Sequence, residues 1–376
     1  MDFIYRCFLK PNFHFTFLLL WLSHFQAAQS FTNFIFGDSL VDVGNNNYIF
    51  TLSKADSSPY GIDFGPSNGQ PTGRFTNGRT ISDIVGEAFG AKSAPPPYLE
   101  PDTEANSILN GINYASGAAG ILDDTGLLFI GRVPLRDQVS YFEKSRDYVI
   151  KVIGENGTKE MLKKAMFTIT IGSNDILNYI QPSIPFFSQD KLPTDVLQDS
   201  MVFHLTTHLK RLHQLGARKF VVVGVGPLGC IPFVRALNLI PAGKCSDQVN
   251  QIVRGYNMKL RDSLRTLNTE LSSGDHNTTF VYANSYDLFL ELVLNYRQFG
   301  LENADKPCCG GYFPPFTCFK GPNQNSSQAA CEDRSKFVFW DTYHPTEAAN
   351  LIVAKALLDG DQTVATPFNI RYLNDL

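Results

Sequence analysis

The feature that most constrains this chain is an abrupt stop. An aromatic, apolar run from Phe31 to Phe36 ends at Gly37 and is followed at once by Asp38 and Ser39. Such a run reads as a short buried strand, and Gly37, with no Cβ, lets the chain bend there. A serine at the carboxyl end of the first strand of an α/β sheet lies where such sheets bind ligands. Leu40 to Gly44 then begins a helical turn whose amides face the same spot, which favours developing negative charge. Taken alone, a strand-end serine most often only caps a helix. The far end of the chain gives this one another meaning.

There a second apolar run, Phe337 to Trp340, is followed by Asp341-Thr342-Tyr343-His344-Pro345. Pro345 suits the first position of a helix, and Thr346 to Leu358 continues with helical apolar spacing (Ala349, Ile352, Val353, Leu357) until Gly360. Asp341 and His344 therefore sit three residues apart on a short loop entering a helix, where the carboxylate can brace the neighbouring imidazole. A serine, a histidine and an aspartate at such positions point to nucleophilic catalysis.

These residues carry a family resemblance. Phe36-Gly37-Asp38-Ser39 with Val41-Asp42-Val43-Gly44-Asn45-Asn46-Asn47 resembles the first block of the GDSL esterases and lipases of the SGNH hydrolase superfamily, in their plant branch. Asn113 to Gly120 resembles the second block, Ile171 to Asp175 the third and Asp341 to Pro345 the last. Pro71 to Arg79 and Gly226 to Pro232 extend the similarity between blocks. The resemblance implies a three-layer α/β/α fold of flavodoxin-like type around a five-stranded, mostly parallel sheet. It implies Ser39 as nucleophile, His344 as base and Asp341 as orienter. The oxyanion donors would be the Ser39 amide, the Gly117 amide and the Asn174 side chain, with Gly120 the alternative to Gly117. No Gly-x-Ser-x-Gly elbow surrounds Ser39, so the strained-turn lipase type is disfavoured.

The first 30 residues read as a leader: Arg6 and Lys10, an apolar core from Phe13 to Trp21, then small residues at Ala28-Gln29-Ser30. The core is shorter than the ~20 residues a membrane span needs. The expectation is a secreted protein, in a plant one of the apoplast or wall, with residues 31–376 forming a single hydrolase domain and no transmembrane segment. Hydrophobic residues at 43% and charged residues at 18% suit a substantial core. The net charge of −4, without a basic run, argues against nucleic acid as a partner. Beyond Cys7 in the leader, Cys230, Cys245, Cys308, Cys309, Cys318 and Cys331 form an even set, as a disulfide framework would. Cys230 with Cys245 is the simplest closure; the other four would staple the segment Pro307 to Cys331. Adjacent Cys308-Cys309 fits zinc poorly, and neither metal nor cofactor is expected. Asn156, Asn277 and Asn325 head glycosylation sequons.

Apolar runs at Gly111 to Ala115, Ala165 to Ile171, Lys219 to Val225 and Thr279 to Ala283 complete five expected strands. Helices are expected over Val133 to Arg146, Pro193 to Leu215, Cys245 to Leu271 and Ile81 to Phe89. The rest of Phe50 to Pro101 reads as ordered loops that either contact substrate or wrap the fold. Gly224 to Gly229 matches a dinucleotide fingerprint, but Pro227 and Pro232 crowd the place of a phosphate-binding helix, leaving a Gly/Pro turn. His204 and His208 have metal spacing without the accompanying glutamate and read as a solvated helix face.

The expected activity is hydrolysis of carboxylic esters of acyl lipids or cell-wall material. The alternative is a catalytically silent wall- or glycan-binding protein on the same fold. A glycosidase would need paired carboxylates, for which Asp38 and Asp341 are the candidates.

Overall fold

A computed structural model describes residues 31–101, 107–181, 191–272, 278–310, 318 and 330–376. The leader and the sequon asparagines Asn277 and Asn325 lie outside the described residues. Four strands run parallel and side by side in chain order: β1 (Asn33–Gly37), β2 (Met166–Thr170), β3 (Lys219–Val223) and β4 (Thr279–Ala283). A two-residue strand, β5 (Ala365–Thr366), closes the edge antiparallel to β4.

Between them run α1 (Ile81–Ala88), α2 (Leu135–Lys164), α3 (Ser173–Ile180), α4 (Thr194–Gln214), α5 (Pro232–Leu237), α6 (Asp247–Leu271), α7 (Ser285–Leu294), α8 (Glu347–Asp359) and α9 (Ile370–Asp375). Helices α2, α4 and α6 pack beside one another as one layer, while α1, α8 and α9 pack together in another. This is the expected α/β layering.

The parallel register brings one phenylalanine from each strand into a single row. Phe34, Phe167, Phe220 and Phe280 are successive partners across the sheet, with ring centroids 5.2, 5.6 and 4.4 Å apart. All four are 0–1% exposed, and each contributes about 1.5–3 kcal/mol by burial. Phe142 of α2 packs against the first two rings, which ties that helix layer to the sheet.

One of the five expected strands, Gly111 to Ala115, is a correction. It lies parallel to β1, with Ile35 N donating to Ile112 O (2.9 Å) and Tyr114 N to Ile35 O (2.7 Å), but forms only an isolated bridge at Asn113. Ser116 N still donates to Gly37 O (3.1 Å), but the ladder stops because Gly37 N donates to Gln138 Oε1 (2.8 Å) instead of to the Tyr114 carbonyl. On the segment's other edge Asn113 Oδ1 accepts the Ala115 amide and Asn45 Nδ2 donates to the Asn113 and Ala115 carbonyls. With this segment counted, the spatial order is the segment, then β1, β2, β3, β4 and β5, and β1 lies at the topological switch point.

Two other expectations shift. The helix expected over Val133 to Arg146 continues to Lys164, broken at Gly154 (φ 73°, ψ 168°), and Asn156 is exposed just beyond that break. Gly37 is needed for closeness rather than for a turn: it ends β1, and a Cβ there would lie 2.3 Å from the Thr170 carbonyl oxygen.

Candidate active site

β1 delivers Ser39 to the rim of the sheet. Asp38 N continues the pairing to Thr170 O (3.1 Å), and then Val41 N and Asp42 N both donate to Asp38 O, making one helical turn. Among the described residues, the Ser39 amide has no protein acceptor. The turn is held from below by buried polar side chains. Asp42 accepts the amides of Gly44 and Asn45 through Oδ1 (both 2.8 Å) and of Gly117 through Oδ2 (3.0 Å). Asn46 donates to the Ser53 and Gly117 carbonyls and accepts from Ser116 Oγ (2.5 Å). Asn113 Nδ2 donates to Val41 O (2.7 Å). The asparagine run is thus the joint between the first and second sequence blocks.

The opposite wall comes from the loop before α8. Trp340 N donates to His344 O (2.8 Å), closing the loop. Asp341 accepts the amides of Tyr343 and His344 (both 2.8 Å), and its carboxylate lies 2.8 Å from His344 Nδ1. His344 Nε2 lies 2.8 Å from Ser39 Oγ. Thr346, rather than Pro345, starts the helix: its side chain caps Ala349 N, so α8 begins at Glu347 and Pro345 is left on the cleft wall.

Ser39 and His344 open into a cleft of about 970 Å³, mouth included, whose lining is mainly apolar. Asp341, fully buried, does not line it. With donors on both of its oxygens, it cannot face a sugar as one of two flanking carboxylates, and the Asp38–Asp341 glycosidase pair fails on geometry. Among the described residues no group of three or more His, Cys, Asp or Glu side chains could hold a metal ion.

This arrangement can be set beside known proteins. Residues 34–357 match the GDSL-like lipase/acylhydrolase family model. The chain belongs to that family. It is 90% identical to a GDSL esterase/lipase of Arabidopsis thaliana over 354 residues, 94% of this chain and 96% of that relative. A second Arabidopsis GDSL esterase/lipase is 46% identical, covering 92% of this chain and 91% of its own length. GDSL esterase/lipase 7 of the same plant is 39% identical, covering 95% and 97%. As a GDSL esterase/lipase, the protein is a hydrolase of carboxylic esters with an SGNH hydrolase fold.

Within the GDSL frame, the third block puts Asn174 on the cleft at the start of α3. One N–H of its Nδ2 donates to Ala119 O (2.9 Å), which leaves the second free. Asp175 beside it accepts from Ile121 N, Leu122 N and Thr125 Oγ1, joining the third block to the second. Gly117 differs from expectation: its amide is committed to Asp42, and the cleft wall is its neighbour Ala118, in left-handed conformation (φ 65°).

Buried carboxylates flank Ser39 in the chain. Burial pushes Asp38 up to about 7 and Asp42 up to about 6, although backbone amides hold each of them. Asp38 Oδ1 accepts from Leu40 N (3.0 Å), while Oδ2 is buried with no partner.

Several participants were not read from the sequence. Tyr60, 1% exposed, donates its hydroxyl to Asp341 Oδ2 (2.8 Å). Burial, then the Asp341 charge, raises its phenol well above the ordinary range, keeping it a donor. Phe75 packs on His344 with centroids 5.1 Å apart, and Thr76 Oγ1 donates to Pro345 O (2.9 Å). So the Phe50 to Pro101 loops brace the histidine loop as well as wrapping the sheet. Three disulfides form: Cys230–Cys245 as expected, then Cys308–Cys331 and Cys309–Cys318. Gly224 to Gly229 is indeed a turn. Asn257 pins Val225 through both backbone groups (2.8 Å each), and Gly226, Pro227 and Leu228 line the cleft. No helix among the described residues is long and apolar enough to cross a membrane.

Proposed function

We propose that this esterase/lipase works through a Ser39 acyl-enzyme, with His344 as general base and Asp341 as its orienter. The observation that carries this reading is the unbroken chain of 2.8 Å contacts from Ser39 Oγ through both ring nitrogens of His344 to Asp341. His344 Nε2 takes the Ser39 proton as Oγ attacks the ester carbonyl carbon. Asp341, which accepts from Nδ1, holds the tautomer and balances the imidazolium. The imidazolium then gives its proton to the leaving alcohol as the C–O bond breaks. Water, deprotonated by the same ring, releases the acid and restores Ser39.

Charge on the former carbonyl oxygen is met by the Ser39 amide and the free N–H of Asn174. Gly117 is the third donor but the weaker one, because its amide must leave Asp42 first. A donor aimed beforehand at the oxyanion is typically worth about 2.7–4 kcal/mol. The leader over residues 1–30, the disulfides and the exposed Asn156 support secretion of residues 31–376 as one glycosylated hydrolase unit. Its natural ester would then be extracellular, at the wall or surface of a plant cell.

The test is Ser39→Ala in purified mature protein. Ester turnover and labelling by a serine-directed fluorophosphonate are both expected to vanish while the melting temperature stays near wild type. Retention of more than a few per cent of turnover would remove Ser39 from the role.

A further inference from the structure

The contacts behind the histidine loop do not end at Asp341. Tyr60 donates to Asp341 Oδ2 (2.8 Å), and its oxygen in turn accepts the Cys318 amide (3.3 Å). Cys318 is bridged to Cys309, whose amide donates to Trp340 O (2.7 Å). That carbonyl belongs to the peptide entering Asp341. One disulfide therefore reaches Asp341 twice, through the main chain ahead of it and through the Tyr60 phenol beyond its carboxylate. All four residues are buried, with Trp340, Tyr60, Cys318 and Cys309 0%, 1%, 1% and 4% exposed. The adjacent Cys308–Cys331 bridge is different. The Cys308 amide donates one residue earlier, to Phe339 O, and among the described residues neither of its cysteines bonds to Tyr60.

We propose that the Cys309–Cys318 disulfide is a positioning element for ester hydrolysis, fixing the Tyr60 donor that holds Asp341 in line with His344. This rests on the Ser39, His344 and Asp341 reading and adds the group that sets its geometry. Every other partner of the Asp341 carboxylate among the described residues comes from its own loop: Tyr343 N, His344 N and His344 Nδ1. Those bonds shape the loop, but they move with it. Tyr60, 281 residues away in sequence, ties the carboxylate to the rest of the molecule. A phenol rotates, and its single proton follows the best-placed acceptor. The Cys318 amide occupies a lone pair of the phenol oxygen, so the proton is left for Asp341. A bond accepted also strengthens the bond given. Burial, and then the Asp341 charge, raise the Tyr60 phenol, and the Cys318 amide acts against both. Chain entropy gives this bridge less to do than its neighbour. Its cysteines are 9 apart in sequence, against 23 for Cys308–Cys331, and a shorter closed loop constrains the unfolded chain less.

A double-mutant cycle on 4-methylumbelliferyl acetate tests this in purified mature protein, with kcat referred to sites titrated by the fluorophosphonate. Its members are the wild type, Tyr60→Phe, Cys309→Ala with Cys318→Ala, and all three changes together. Removing the bridge is expected to lower kcat about tenfold with KM within about twofold, as befits a group that acts through Asp341. Tyr60→Phe is then expected to cost less than about twofold more, because both changes remove one shared bond. Cys308→Ala with Cys331→Ala, the matched comparison, is expected to lower the melting temperature while kcat stays near wild type. A wild-type kcat without the Cys309–Cys318 bridge, or losses from the two changes that simply multiply, overturns the proposal. So does the absence of titratable sites both in the alanine pair and in a serine pair at the same positions, which would assign the bridge to folding alone. A wild type that the fluorophosphonate does not label removes the Ser39 reading underneath.

Discussion

The two sides of the cleft are held by different physics. On the Ser39 side, Asp42, Asn45, Asn46, Asn113 and Ser116 are all buried and form a network of directional hydrogen bonds. On the His344 side, Tyr60, Phe75 and Trp340 pack with Cys308, Cys309 and Cys318 in a separate small core. There the Cys308 and Cys309 amides donate to the Phe339 and Trp340 carbonyls, just ahead of Asp341. Hydrogen bonds fix angles, as donors aimed at a developing oxyanion require. Packing and covalent staples fix position, which is enough for a ring whose orientation Asp341 completes. On the proposed mechanism, the contrast teaches that the first side serves transition-state geometry, while the second holds a late loop against the sheet.

The sharpest test is Asn174→Ala, on the first side. It is expected to lower kcat by a hundredfold to a thousandfold, about 2.7–4 kcal/mol, with little change in KM. An effect confined to KM would make Asn174 a substrate-binding group and weaken the contrast. Next comes Asn46→Ala, which leaves the Ser53 and Gly117 carbonyls and Ser116 Oγ without that partner. The expected loss is on the order of 3 kcal/mol of stability by urea denaturation. A variant as stable as wild type would mean that the network is not what holds this side.

On the second side, Tyr60→Phe keeps the ring against Phe75 and Trp340 but removes the donor to Asp341. Tyr60 is a positioning residue, so kcat is expected to fall about tenfold, ~1.4 kcal/mol, with KM within twofold. A loss of thermal stability at unchanged kcat would make the contact purely structural.

The last test concerns pH and belongs to the first side alone. Burial raises the Asp38 carboxyl to about 7, so the folded state holds this proton more tightly than the unfolded chain does. Its stabilising contribution is full below the unfolded value of ~3.9 and is lost as pH rises through about 7, at up to ~1.4 kcal/mol per pH unit. Asp38→Asn removes that dependence. The wild type is therefore expected to lose more melting temperature than the variant between pH 5 and pH 8. An equal loss in the two proteins would take Asp38 out of the account.

The same division separates what the sequence made legible from what it did not. Strand runs around the phenylalanine row, Ser39 and the Asp341–His344 spacing could be read because periodicity and short local motifs carry them. Tyr60, Phe75 and Asn46 could not, since each acts from irregular chain on a partner far away in sequence, and no period marks such a residue. β5, two residues long, offers no run to detect. Gly111 to Ala115 has a strand's composition, but Gln138, from a helix later in the chain, claims the Gly37 amide that would have extended its ladder.

The contact between Ser39 and His344 spans 305 residues of chain. On the proposed mechanism, Ser39 therefore emerges early in synthesis and stays inert until almost the entire polypeptide has been made and the last helices have docked. A nascent or truncated chain carries the serine without its base. On that reading, the ability to cut esters itself certifies that the fold is finished.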